Sequence, residues 1–195
     1  MTDTQRHAIK EIESSSERMV ATVRDLLNVS RIQAGNFVLE RIKTNLAALL
    51  EENLSQLQIM AESHDVKLIY KAPGKSEIPE LNLDRERLGE IMTNLIDNAI
   101  FYSPAGKSVN ISLALVGNYV EFKVIDHGIG VPEKEQAHLF TKFFRASNAK
   151  TMRPDGTGIG LFLVRKIIKE HGGEIIFHSV HGKGSTFGFK LPIDA

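Results

Sequence analysis

Asn94-Leu95-Ile96-Asp97-Asn98-Ala99, Asp126-His127-Gly128-Ile129-Gly130, Gly156-Thr157-Gly158-Ile159-Gly160-Leu161 and Gly182-Lys183-Gly184-Ser185-Thr186-Phe187 stand in that order along a chain of 195 residues. The first block carries two amides four residues apart. The second follows an apolar run with a carboxylate and then two glycines. The third sets three glycines ahead of an apolar helical pattern. The fourth is a glycine-rich turn between two strand-like runs. Any one of them is common, but the four together, with helices and strands reading correctly between them, decide the fold.

Working outward, Asp84 is placed to cap a helix running to about Tyr102. Ser103-Pro104-Ala105-Gly106 ends it, and Val109–Val116 and Tyr119–Ile125 read as a hairpin joined at Gly117-Asn118. Residues 131 to 157 read as irregular, interrupted by Leu139-Phe140-Thr141-Lys142-Phe143-Phe144-Arg145. Ile159 to His171 reads as a helix closed by Gly172-Gly173, and Glu174–Val180 with Thr186–Leu191 as a last hairpin. Upstream, the pattern predicts a strand at Phe37–Ile42, a helix at Asn45–Ser63, a strand at Val66–Lys71 broken by Ala72-Pro73-Gly74-Lys75-Ser76, and a short extended run at Leu81-Asn82-Leu83. The expected class is α+β, helices and antiparallel strands sharing one core as an α/β sandwich, preceded by a long amphipathic helix.

That first helix is expected from about Thr4 to Ala34. Ile9, Ile12, Ser16, Met19, Val23, Leu26 and Ser30 alternate at spacings of three and four, with Val20 and Leu27 widening the stripe. Lys10, Glu13, Glu17, Arg24 and Asp25 lie on the other face, and Gly35-Asn36 supplies the stop. A stripe of this kind needs a partner helix, either a second copy or the globular part of the same chain. The expected organisation is a helical segment at 1–35 and a second domain at 36–195.

Composition narrows the function. Lys and Arg together number 24, as do Asp and Glu, so no basic field points to nucleic acid. There is no cysteine, which excludes a disulfide framework or thiolate metal site and fits a reducing cytoplasm. No apolar run is long enough to span a bilayer and no signal peptide opens the chain, so any inner-membrane anchor of a parent protein is expected outside it.

The blocks themselves fit a nucleoside triphosphate. Glu90, Asn94 and Asn98 share one helix face; amides suit a Mg²⁺ bridging to phosphate, although a buried Asn can also tie helix to sheet. The Asp126 carboxylate can accept a hydrogen bond from an exocyclic amine, which favours adenine over guanine, with an Asp-Gly turn as the plain alternative. Gly156 to Gly160 precede a helix whose free N–H groups favour phosphate. A Rossmann reading fails, since Pro154-Asp155 rather than a buried parallel strand leads into the block.

With these residues the sequence resembles the catalytic and ATP-binding domain of sensor histidine kinases, within the wider family of gyrase B, Hsp90 and MutL. The blocks look like the N, G1, G2 and G3 boxes of that family and Leu139–Arg145 like its F box, a match over roughly Lys43 to Pro192. Asp25 to Gly35 resembles the end of the second helix of the dimerisation and phosphoacceptor domain. The resemblance implies ATP and Mg²⁺ as cofactors, with Asn98 on the metal and Asn94 beside the phosphates. Asn94 stands where gyrase-like relatives have a Glu base, which implies phosphoryl transfer rather than hydrolysis. Asp126 would bind the adenine amine, Gly128 and Gly130 would lie beneath the base, and Tyr102 would pack on it. Gly156, Gly158 and Gly160 would cradle the phosphates, with Thr157, Ile159, Leu161 and Thr186 as further nucleotide-binding residues, in a two-layer α/β sandwich with a mixed sheet. Lys142 and Arg145 would reach the γ-phosphate or support the lid. One departure is Phe101, where the family often has Lys.

A second departure is the phosphoacceptor motif, Ser-His-Glu-Leu-Arg-Thr-Pro or close to it, which is missing. His7 lacks its neighbours, and His64, His127, His138, His171, His178 and His181 have no acceptor context. The expectation is therefore a protein histidine kinase whose catalytic part, alone, does not phosphorylate itself. Its partners would be ATP or ADP, a response-regulator receiver domain and a second copy through the first helix. The rivals are a nucleotide-binding interaction module and a gyrase-like ATPase.

Overall fold

The computed structural model describes residues 1–35, 37–74 and 77–193. In the first helix, side chains at 3, 4, 7, 8, 10, 11, 13–15, 17, 18, 21 and 25 are also outside the described set. Expectations for Asn36, for Lys75-Ser76 and for the side chains of His7, Lys10, Glu13, Glu17 and Asp25 therefore lie outside the described residues. The chain divides into two units, Met1–Val38 and Leu39–Ala195, three residues later than the expected boundary.

The first unit is one helix, α1 (Asp3–Gln33). Thr2 and Gln5 form a capping box at its start. The Gln5 N–H donates to the Thr2 hydroxyl at 3.3 Å. In return, the Thr2 N–H donates to the Gln5 side-chain oxygen at 2.8 Å. Ala34 caps the other end, and Gly35 follows at φ +71, the left-handed conformation that stops a helix. Ile9, Ile12, Met19, Val20, Val23, Leu26 and Leu27 are all exposed.

The second unit begins with β1 (Arg41–Thr44), α2 (Leu46–Ser63), β2 (Lys67–Tyr70), β3 (Leu81–Asp84) and α3 (Arg85–Tyr102). It continues with β4 (Ser108–Val116), β5 (Tyr119–Ile125), α4 (Glu133–Gln136), α5 (Ser147–Met152), α6 (Gly160–Glu170), β6 (Glu174–Val180) and β7 (Gly184–Pro192). Five strands form one sheet in the order β2-β4-β5-β7-β6, with β2 parallel to β4 and the other pairs antiparallel. The β1–β3 pair stands apart as a two-stranded ribbon.

Alternation puts one face of the sheet inside. Val109, Ile111 and Leu113 of β4, Val120, Phe122 and Val124 of β5, and Phe189 and Leu191 of β7 are buried, while their sequence neighbours are largely not. Phe122 and Phe189 stand opposite each other across the ladder with ring centroids 5.1 Å apart, a cross-strand pair of the kind that stabilises sheets. The buried faces of α2, α3 and α6 supply the other layer through Leu50, Leu88, Ile96, Ile100, Val164 and Ile168. This is the α+β sandwich expected, with a mixed sheet. Among the described residues no helix is long and apolar enough to cross a membrane.

Three differences from expectation exceed a single residue at an element's end. The first strand is Arg41–Thr44 rather than Phe37–Ile42, because its partner β3 is four residues long and pairing ends at Arg41 opposite Asp84. The stretch 131–157, expected to be irregular, contains the one-turn helix α4 and the short α5. The last strand starts at Gly184, earlier than the expected Thr186, and pairs with Val180.

Candidate functional site

The site is built along α3. Asp84, the expected cap, accepts the Arg87 N–H at 3.1 Å through Oδ1 and the Glu40 N–H at 3.0 Å through Oδ2. The first of these bonds satisfies a donor that the helix start leaves free. From there the helix carries Asn94, Asn98 and Tyr102 on one ridge at steps of four. The ridge is about 12 Å long at the helical rise, enough to set a base at one end and phosphates at the other.

At the Asn94 end the first and third blocks meet. The Asn98 amide nitrogen donates to the Asn94 side-chain oxygen at 3.2 Å, which leaves the Asn98 carbonyl oxygen for another partner. Gly160, the first residue of α6, comes so near that a Cβ on it would lie 2.5 Å from Asn94 Nδ2. A side chain at 160 would force the Asn94 amide aside or push α6 away from it. The start of α6 and its free N–H groups are thereby set beside the two amides. Ile159 is buried, and its N–H is 3.3 Å from the Thr157 hydroxyl; Leu161 packs instead on a small core of Val131, Leu139 and Ala146.

At the Tyr102 end the second block closes in. Asp126 Oδ1 accepts from the Gly128 N–H at 2.8 Å and the Ser185 N–H at 3.2 Å. Both bonds fall on one oxygen, so the other carboxylate oxygen is open to a donor from outside the chain. Burial raises the Asp126 pKa, opposed by those two N–H groups and by His127. A Cβ on Gly128 would collide with the Tyr102 carbonyl oxygen, and the Ile129 N–H donates to the same oxygen at 3.2 Å. The absence of a side chain at 128 is thus required by the chain's own backbone. The Gly130 carbonyl accepts from Asn148 at 2.8 Å, and Thr186 lies in β7 opposite Ile125, next to Ser185.

The stretch between these ends is held by its own contacts. Arg145 Nη1 donates to the Pro154 carbonyl at 3.0 Å and Nη2 to that of Ala149 at 3.2 Å, and Nη2 also donates to the Arg153 carbonyl. A Cβ on Gly156 would lie 2.9 Å from the Arg145 Cζ. The guanidinium therefore braces residues 149–156 from within. Lys142 places Nζ 5.2 Å from the centre of the Phe162 ring, near the start of α6. Phe143 has φ +62, held by its N–H donating to the Gly158 carbonyl at 3.0 Å. The glycine at 158 is itself left-handed, at φ +70.

The structure thus gathers Asn94, Asn98 and Gly160 at one end of the ridge, and Tyr102, Asp126 and Gly128 at the other. Sequence reasoning did not single out Asn148, Ser185, Arg153 or His171. Arg153 had no motif to mark it; Ser185 lay inside the fourth block but carried no expected role. Among the described residues no cluster of three His, Asp or Glu side chains is arranged to hold a metal ion.

A sequence profile described as "Histidine kinase-, DNA gyrase B-, and HSP90-like ATPase" matches residues 83–195. The chain is 36% identical, over its whole length, to the signal transduction histidine-protein kinase BarA of Escherichia coli (strain K12), and spans 22% of that protein's length. Among solved structures it resembles the Acinetobacter baumannii histidine kinase AdeS, with a TM-score of 0.74 and 25% identity over 96% of this chain and 84% of that one. It also resembles full-length ShkA in complex with AMPPNP, with a TM-score of 0.75 and 25% identity over 98% of this chain and 39% of ShkA.

Proposed function

Because the chain belongs to the histidine kinase-, DNA gyrase B- and HSP90-like ATPase family and carries the ATP-binding catalytic domain of its histidine kinase branch, we propose that it donates the γ-phosphoryl group of ATP to a histidine elsewhere. The histidine would lie on a dimerisation hairpin, and the phosphoryl group would pass on to an aspartate of a response-regulator receiver domain. The observation that carries this reading is the contact of Gly160 with Asn94. It sets the α6 N-terminus against Asn94, with Asp126 and Gly128 beside Tyr102 at the other end of the ridge.

In this reading Asp126 accepts the adenine amine through its open oxygen, and Tyr102 packs on the base. Gly128 shapes the pocket from below by keeping Asp126 and Tyr102 close. Asn94 lies beside the phosphates, together with the backbone of Gly156, Thr157, Gly158 and Gly160. Asn98 has its amide nitrogen on Asn94, so its carbonyl oxygen is the group that would hold Mg²⁺. That ion supplies charge neutralisation on the phosphates when bound. Asn94 cannot take a proton from water as a carboxylate can, so the site positions a phosphoryl group without activating water for hydrolysis. Catalysis of this kind rests on positioning and electrostatics. Arg145 supports the segment from Ala149 to Gly156, Lys142 stands near the start of α6, and α1 pairs with a second copy. The lack of cysteine suits the cytoplasm, with any inner-membrane anchor lying outside these residues.

Titration with nucleotide in the presence of Mg²⁺ tests the reading. The protein is expected to bind ATP and ADP, to prefer them to GTP, and to gain no acid-labile phosphate of its own. Equal affinity for GTP would remove the role of Asp126, and self-labelling would remove the division of labour.

A further inference from the structure

We propose that Arg153 is a positioning residue that latches the segment between Arg145 and the glycine loop onto α3, holding that loop in register with Asn94 and Asn98. The inference rests on the reading of this site as one for ATP.

Arg153 follows α5 and crosses to α3. Its Nη1 lies 3.0 Å from Asp97 Oδ2, and its Cζ stands 4.6 Å from the centre of the Phe101 ring. Asp97 and Phe101 are one turn apart and interleave with Asn94 and Asn98 at spacings of three and four, so all four occupy one stretch of the helix surface. The side chains of the ion pair are 29% and 27% exposed. The contact is therefore shielded from much of the screening that weakens surface ion pairs. The guanidinium is charge-paired at its edge and stacked on its face, a geometry that Lys does not reproduce. Burial opposes the Arg153 charge, yet Asp97, with Tyr102 and Asp155, leaves its pKa raised.

The backbone that carries Arg153 is held from the other side. Arg145 donates to the carbonyls of Ala149, Arg153 and Pro154. The two arginines therefore act in series: Arg145 fixes the turn, and Arg153 fixes the turn to α3. Gly156 to Gly160 then run from this anchor to the contact with Asn94, tied at both ends. A loop ordered before its ligand arrives loses less entropy on binding, and the latch contributes affinity in that way.

The test is a set of Mg-ATP titrations on the wild-type chain, Arg153→Gln, Asp97→Asn, the double variant and Arg153→Lys, with unfolding midpoints measured without nucleotide. Arg153→Gln is expected to weaken ATP binding about tenfold, the size of a half-buried ion pair plus a cation–π contact. The double variant is expected to be no weaker than the worse single variant. Arg153→Lys is expected to fall between wild type and Gln, with midpoints close together throughout. Wild-type affinity in Arg153→Gln, or additive losses in the double variant, would overturn the latch. So would losses that follow a falling midpoint in every variant, since Arg153 would then serve the fold alone. A wild-type chain that binds no ATP is a separate failure, which removes the site reading itself.

Discussion

Gly160 shows at a single position how the sequence makes the site. A methyl group there would sit 2.5 Å from the Asn94 amide nitrogen, so α6 would have to move away from α3 or Asn94 would have to leave its rotamer. Overpacking of this kind costs about 1–3 kcal/mol. Gly160→Ala is expected to keep its secondary structure by circular dichroism and to lose at least about tenfold in ATP affinity, since about 1.4 kcal/mol is tenfold. Unchanged affinity would show that the contact does not shape the site. The glycine, the amides and Asp126 were legible as residues with a fixed spacing. The reason for glycine at 128 was not, because a sequence does not display the Tyr102 carbonyl that occupies the space. Nor did it display Phe143 at φ +62, since nothing in a phenylalanine marks a left-handed backbone held by a distant carbonyl.

Two helices, α3 and α6, form the frame of the site. α6 meets α3 at both of its own ends, through Gly160 against Asn94 in the middle of α3 and through His171 against Asp84 at the start of α3. His171 is fully buried; its Nε2 accepts the Asp84 N–H at 3.0 Å, and its Nδ1 lies 2.8 Å from the Ile167 carbonyl. That pattern holds the ring neutral, with the proton on Nδ1. Burial lowers the His171 pKa below 6.5, with Arg41 acting in the same direction and Ile167, Asp84 and Glu170 opposing it. Below pH 6.5 the unfolded chain takes up a proton that the folded one does not, so stability falls as pH drops toward the lowered folded value. Unfolding midpoints between about pH 5 and 7 are expected to show this slope, and His171→Gln to flatten it; an equal slope in the variant would assign the effect elsewhere. The cap at Asp84 and the shared face of Asn94 and Asn98 followed from residue type and period, whereas Asn45, read only as the start of its helix, also caps it. The role of His171 did not, because it depends on where two remote helix ends meet. Likewise, the parallel pairing of β2 with β4 is set by the α3 crossover and has no local mark in either strand.

At the scale of the whole molecule the chain offers two surfaces with different consequences. On α1, Ile12 is 66% exposed and Met19 69%. A stripe of that kind is what a partner helix covers. Sedimentation is expected to give a dimer at micromolar concentration and a monomer for Val23→Glu with Leu26→Glu; a monomeric wild type would contradict pairing through α1. The second surface is the ridge of Asn94, Asn98 and Tyr102, whose family was legible from four short blocks because each block carries its own backbone or hydrogen-bond requirement. Arg153 escaped that reading because its partners Asp97 and Phe101 meet it only in the folded chain. The central question is where the γ-phosphoryl group goes. Incubation of the chain with γ-labelled ATP, Mg²⁺ and a separately produced dimerisation hairpin bearing a phosphoacceptor histidine decides it. The label is expected on the hairpin, in acid-labile form, with none on the chain itself. Steady release of inorganic phosphate with no label on the hairpin would contradict that transfer and make the protein a hydrolase.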